Sequence, residues 1–164
     1  MKREKPDRKS VPRHEAIKKR QRDLALQYAN CKPSEVTDFP WIYARRKTGS
    51  YPPATPQGGK WLIFVPFAQV DGVWATIKTA TEEGKLGEGA KVATAKQNPR
   101  AKDASAKVIC VYTYDWTDED DVRRIRQELR ALGITQKIPY KADQDTFDGK
   151  YQVTGHTRIS KYYE

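Results

Sequence analysis

Between Lys107 and Asp143 the apolar period of the chain changes twice, from alternation to helical spacing and back. No other feature constrains the fold as much. Val108, Cys110, Tyr112 and Tyr114 alternate with Ile109, Val111, Thr113 and Asp115, so this strand has two largely apolar faces and belongs inside a sheet. Thr117 is placed to cap the helix that follows, with Asp120 in the capping-box position, and Asp118, Glu119 and Asp121 add negative charge where the helix dipole favours it. Val122, Ile125, Leu129 and Leu132 then form one apolar stripe that must pack on the sheet, and Gly133 supplies the stop. A strand with a covering helix defines an α+β layer.

The rest of the chain repeats the unit. Trp61 to Pro66 reads as a buried strand, and Asp71 is placed to cap a helix whose Val73, Trp74, Ile77 and Ala80 face the sheet before Gly84 ends it. KVATAK, from Lys91 to Lys96, alternates as a short strand. Further strands are expected near Ile138–Ala142, Tyr151–Thr154 and Thr157–Tyr163. Upstream, Ile17, Leu24 and Tyr28 give a basic helix from about Arg13 to Ala29, and Phe39-Pro40-Trp41-Ile42-Tyr43 a short strand or apolar patch. Lys47 to Lys60 is a Gly-, Pro- and Ser-rich loop, long enough to suggest a lid or binding loop. The sum is an α+β fold, a mostly antiparallel sheet of roughly five to seven strands with two long helices on one face, plus the N-terminal basic helix. Residues 1–12 are expected to be a disordered basic arm, and residues 13–164 one domain with its core at about 38–163.

The net charge of +10 is unevenly distributed. Residues 1–22 hold ten Lys or Arg against three acids, which is +7 and leaves +3 for the other 142 residues. A basic arm attached to a nearly neutral body can bind nucleic acid by releasing counterions from phosphates, or can serve as a solvated leader. No run approaches the ~18 apolar residues of a membrane span, and the chain opens with MKREKPDRK, so an intracellular, cytoplasmic protein is expected. Cys31 and Cys110 lack the spacing of a zinc site or disulfide framework.

VICVYTYD, then DEDDVRRIRQELRALGI, then KIPYKADQDT is similar in order and spacing to the C-terminal half of the messenger-RNA cap-binding translation initiation factor. It resembles the basophilic-leukaemia-expressed protein family more closely still. The match extends back through KWLIFVPFAQVDGVWATIKTATEEGKLG, covering about residues 60–163. The resemblance implies the curved sheet of that factor and leaves the activity open, because a shared fold does not fix function. It also implies that Arg100 and Lys102, followed by Lys107, stand where the cap-binding factor holds nucleotide phosphates. The tryptophan pair and acid that read a cap do not carry over: the segment from Gly87 to Lys107 has no aromatic residue, and Trp61 and Trp74 fall on core-facing positions. Trp41 and Tyr51, in or beside the long loop, are the candidates for stacking a base, while Trp116 precedes the second long helix.

A second constellation gathers Tyr140, Lys141, Asp143 and Thr146 with Tyr151, His156, Arg158 and Lys161. The leading expectation is a non-enzymatic nucleotide- or RNA-binding domain that holds phosphates with Arg100, Lys102, Lys91, Lys107, Lys141 and Arg158, without cofactor, metal or membrane partner. One alternative is an enzyme acting on a phosphorylated substrate by elimination or transfer, with Lys141 and His156 as base and acid and Arg100 or Arg158 holding the anion. Another is a protein-interaction module using the Lys47–Lys60 loop and the outer face of the second helix. Arg123, Arg124, Arg126 and Arg130 lie on that face and are expected to be solvated, partly answered by Glu119 and Asp120. GKLGEGAK, from Gly84 to Lys91, lacks the ending and the strand-to-helix setting of a phosphate-binding loop, and reads as a turn.

Overall fold

The computed structural model describes residues 13–101, 103–148 and 160–164. Among them, six strands form one sheet: β1 (Trp41–Arg45), β2 (Gly59–Pro66), β3 (Gly89–Ala93), β4 (Ala106–Thr113), β5 (Pro139–Ala142) and β6 (Tyr162–Tyr163), in the order β1-β3-β4-β2-β5-β6. Each of these pairings is antiparallel. The doubly apolar β4 sits inside, between β3 and β2, and pairs with β2 from Gly59↔Thr113 to Pro66↔Ala106. The long helices α2 (Val70–Glu82) and α3 (Glu119–Ala131) pack on one face, α1 (Arg13–Gln27) precedes β1, and the short α4 (Asp143–Phe147) follows β5. The expected architecture is therefore the observed one.

Alternation divides the sheet into two environments. Trp61, Ile63 and Val65 of β2 face the helices with Ile109 and Val111 of β4, Ile42 of β1, Val92 of β3 and Tyr140 of β5, and all are buried. On the helices they meet Val70, Trp74, Ile77, Val122, Ile125 and Leu129. Trp61 Nε1 donates to Val122 O at 3.1 Å, fastening α3 to the sheet, and the Trp61, Tyr140 and Tyr162 rings pack with centroids 5.3–6.3 Å apart. Gly84 and Gly133, at φ 77° and 97°, end α2 and α3 in the left-handed conformation that glycine tolerates.

Several local expectations are corrected. The cap of α3 is Asp118, whose side chain accepts the Asp121 N–H at 3.2 Å; Thr117 is engaged by Asp115, to which its N–H and hydroxyl donate at 2.8 and 2.6 Å. Asp71 does not cap α2, because a 3-10 turn over Phe67–Gln69 leads into that helix directly. Instead Asp71 accepts from Ser34 N and Ser34 Oγ at 2.9 and 2.5 Å, holding the Pro33–Glu35 turn against α2. β3 begins at Gly89 and ends at Ala93, earlier than the alternation suggested. Of the C-terminal strands, Tyr162–Tyr163 is described, while Tyr151–Thr154 and the start of Thr157–Tyr163 lie outside the described residues, as does the arm at 1–12.

The largest correction concerns Arg126, which is fully buried rather than solvated. Its Nε donates to Glu164 O at 2.9 Å, Nη1 to Ile134 O at 2.8 Å and Nη2 to Gln136 O at 2.6 Å. One guanidinium fork thereby gathers the turn after α3 and the end of β6 onto the helix.

The loop from Lys47 to Lys60 is pinned along its first residues. Arg46 donates to Leu86 O at 2.6 Å and to Thr48 O at 3.2 Å, and the hydroxyl of Tyr51 donates to Asp121 Oδ2 at 2.5 Å while accepting the Tyr114 N–H at 3.2 Å. Among the described residues, no helix is long and apolar enough to cross a membrane.

The two thiols should separate cleanly. Cys31 is exposed, whereas Cys110 is buried and burial pushes its thiol pKa up. Since the thiolate is the reactive form, a disulfide reagent at neutral pH should label one thiol in the native protein and the second only after denaturation. Rapid labelling of both would contradict the placement of β4.

Candidate nucleic-acid interface

The sheet face turned away from α2 and α3 is built from the other parity of each strand. Register places Trp41, Tyr43 and Arg45 of β1, Lys91 of β3, Val108, Cys110 and Tyr112 of β4, Lys60, Leu62 and Phe64 of β2, and Lys141 of β5 on it. Cations and aromatic rings share this face with the apolar Leu62, Val108 and Cys110.

Three lysines converge here. Lys60 and Lys141 are direct cross-strand partners and both are buried, at 7% and 4% exposure. Like charges opposed on adjacent strands destabilise a sheet, more so out of water, unless anions answer them. Part of that answer comes from α4, which folds over this end of the face. Lys60 Nζ lies 2.6 Å from Asp143 Oδ1 and 3.1 Å from Thr146 Oγ1, and Asp145 carries a second negative charge towards Lys141. Burial holds Lys141 below the usual lysine pKa, and the neighbouring Lys60 charge adds to the effect. Lys91 is also depressed, by burial first, with the Lys60 charge contributing. Its ammonium stands 3.9 Å from the centre of the Trp41 ring, a cation–π contact, and its cross-strand neighbours are Tyr43 and Cys110. Among the described residues, three ammonium groups stand with the two carboxylates of Asp143 and Asp145 at this end of the face, and Arg45 lies in the same cross-strand row.

The residues expected to bind are thus partly gathered. Lys91, Lys141 and Trp41 share this face, with Lys141 buried at the end that α4 covers. Arg100 lies in the exposed turn between β3 and β4, with its N–H on Asn98 Oδ1 at 3.0 Å. That turn is at the Pro66 end of the sheet, about 20 Å along the strands from Lys60. Lys107 has the parity of Ile109 and Val111, so it points to the helix side, where its Nζ is 5.9 Å from the Phe67 ring. Tyr51 stacks edge-on against Tyr114 beneath the Arg46 guanidinium and is engaged by Asp121. Trp116 packs beneath Lys161, and its carbonyl accepts from the Tyr162 hydroxyl at 2.7 Å. Lys102, His156 and Arg158 lie outside the described residues.

Sequence reasoning missed Lys60, Tyr43 and Phe64. Strand parity was the available signal: once Trp61 is assigned to the core, Lys60 and Phe64 must face the other way. No group of three or more His, Cys, Asp or Glu among the described residues is arranged to hold a metal ion.

A six-stranded antiparallel sheet, covered by helices on one face and studded with cations and rings on the other, defines a protein with the fold of the cap-binding translation initiation factors. Schistosome eIF4E complexed with m7GpppA and 4E-BP matches with a TM-score of 0.61 at 16% identity, over 88% of this chain and 80% of that one. C. elegans eIF4E-3 with the 4E-binding protein Mextli and a cap analog matches with 0.54 at 22% identity, over 77% and 76%. Ascaris suum eIF4E-3 with an m7G cap gives 0.53 at 19% identity, over 87% and 78%. Within that fold, the family model of the basophilic leukemia-expressed protein Bles03 matches residues 54–147. The chain belongs to the Bles03 family.

Proposed function

We propose that this protein is a nucleotide- or RNA-binding module that holds phosphates on the open face of its sheet with Lys91 and Lys141, supported by Lys60, and performs no chemistry on its ligand. The observation that carries this reading is the buried opposition of Lys60 and Lys141 with Lys91 on the same face, an arrangement favoured by an added anion. Arg100, with Lys102 beside it in sequence, would add phosphate contacts at the far end of the sheet, and the basic arm would act as a sequence-independent anchor. Solved proteins of the same fold carry cap nucleotides. Here Trp61 and Trp74 are core residues, 0% and 2% exposed, so a cap-type sandwich by these two rings is not part of the proposal.

Replacing Lys91 and Lys141 together by Gln should lower the affinity for a short RNA by at least about tenfold. It should also flatten the dependence of log affinity on log salt by about 1.4, at roughly 0.7 per phosphate contact on a single strand. Unchanged affinity and slope would refute the assignment. The charged lysines are the binding forms and both have depressed pKa values. Binding should therefore take up protons and weaken as pH rises through a range below 10.5, the ordinary lysine value. Affinity constant up to that pH would argue against these two groups.

A further inference from the structure

We infer that the occupant of the open face is a single-stranded polynucleotide laid across the strands, rather than one nucleotide in a pocket. The inference deepens the phosphate-binding reading and rests on it. Its independent support is the placement of exposed rings. Tyr43 on β1 is 36% exposed and Phe64 on β2 is 55% exposed, on the same face. Each ring keeps part of its surface open to a ligand.

Three strand spacings separate β1 from β2 in the sheet order, and Phe64 lies one side-chain step further along the strands than Leu62. The two rings are therefore about 15 Å apart. One base cannot touch both, whereas a stacked strand advancing about 3.4 Å per nucleotide spans the gap in four or five. Lys91 lies beside this path, in the same cross-strand row as Tyr43, so a backbone running from Tyr43 towards Phe64 would pass that cation while presenting bases to the rings, with the Lys60–Lys141 pair one row to the other side. Sequence-tolerant single-strand sites combine the same two elements, a basic groove and stacking platforms, at about 4–16 nucleotides per domain. A duplex keeps its bases stacked inside and cannot offer them to these rings.

The test is fluorescence anisotropy of the full chain at physiological salt with a labelled eight-nucleotide single-stranded RNA, the same sequence as a duplex, and a mononucleotide competitor. The octamer should bind much more tightly than the mononucleotide and than the duplex. Phe64→Ala and Tyr43→Ala should each weaken octamer binding about 5- to 150-fold, the range found when a stacking ring is removed. Both side chains are exposed, so an unchanged melting temperature should confirm that the variants fold. Equal affinity for octamer and mononucleotide, or octamer binding unaffected by both ring substitutions, would overturn the inference. If the rings have no effect while the Lys91→Gln, Lys141→Gln protein still binds weakly, the phosphate reading stands and the track fails. If neither set of substitutions matters, both fail.

Discussion

Arg126→Ala should destabilise the protein by about 3–5 kcal/mol, measured as a shift of the urea unfolding midpoint. The side chain is fully buried, and its removal strips the donors from Ile134 O, Gln136 O and Glu164 O at once. Ile134 O, in a buried position, is left without this donor at a cost of about 1–3 kcal/mol, whereas Glu164 O keeps the Ile138 N–H at 2.7 Å and Gln136 is exposed to water. The vacated volume also removes packing against Trp61, whose ring centre is 5.9 Å from the guanidinium. Burial draws the Arg126 pKa down, but a guanidinium bonded to three carbonyls remains the charged donor. Arg126→Lys should recover only part of the loss, because one ammonium cannot reproduce the fork. A midpoint within error of the parent protein would show that the side chain is not buried.

Trp61→Ala should be comparably severe, about 3–5 kcal/mol, since it empties the largest core site and deletes the bond from Nε1 to Val122 O. The sharper comparison is between two Trp→Phe changes. Trp61→Phe loses volume and leaves Val122 O without its indole donor, so about 1–2 kcal/mol is expected. Trp74 Nε1 is buried with no partner among the described residues, so Trp74→Phe removes an unsatisfied donor along with some packing and should cost less. Equal losses in the two Phe variants would remove the hydrogen bond from the account of how α3 is held. Combining Trp61→Ala with Arg126→Ala should cost less than the sum of the separate changes, because the two side chains share one packed region.

The layers were legible because period is a local property. β4 declares two apolar faces within eight residues, and α2 and α3 declare theirs by stripes that end at Gly84 and Gly133. Arg126 was also legible by position, four residues after Val122 and three before Leu129, inside the stripe. Its charge argued for solvent, and the partners that outweigh this are backbone carbonyls of a turn and a chain end that no side-chain pattern advertises. Asp71 is similar: it has the chemistry of a cap, but a 3-10 turn already starts α2, so the carboxylate reaches Ser34 across the fold.

The candidate site was less legible. Lys91 and Lys141 were identified singly, from residue type. Their union with Lys60 depends on the register Lys60↔Lys141 and on β3 lying beside β4, which are facts of strand pairing. Lys60 was read as the end of a loop, although it is the second residue of β2. Arg100 and Lys107 are near Lys91 in the amino-acid sequence but are separated from it by a strand end and by strand parity. Tyr51 illustrates the opposite failure. An aromatic residue in a Pro- and Gly-rich loop looks available for a ligand, yet its hydroxyl joins Asp121 on α3 to the Tyr114 backbone.

Binding on the sheet face away from α2 and α3 can be followed through the backbone amide resonances of the full chain during titration with a short uncapped RNA at physiological salt. The largest changes are expected at Trp41, Tyr43, Lys91, Leu62, Phe64 and Lys141, with α2 and the outer face of α3 unmoved. Changes confined to residues 1–22, with those six amides unchanged at saturation, would place binding in the arm and contradict binding on the sheet face.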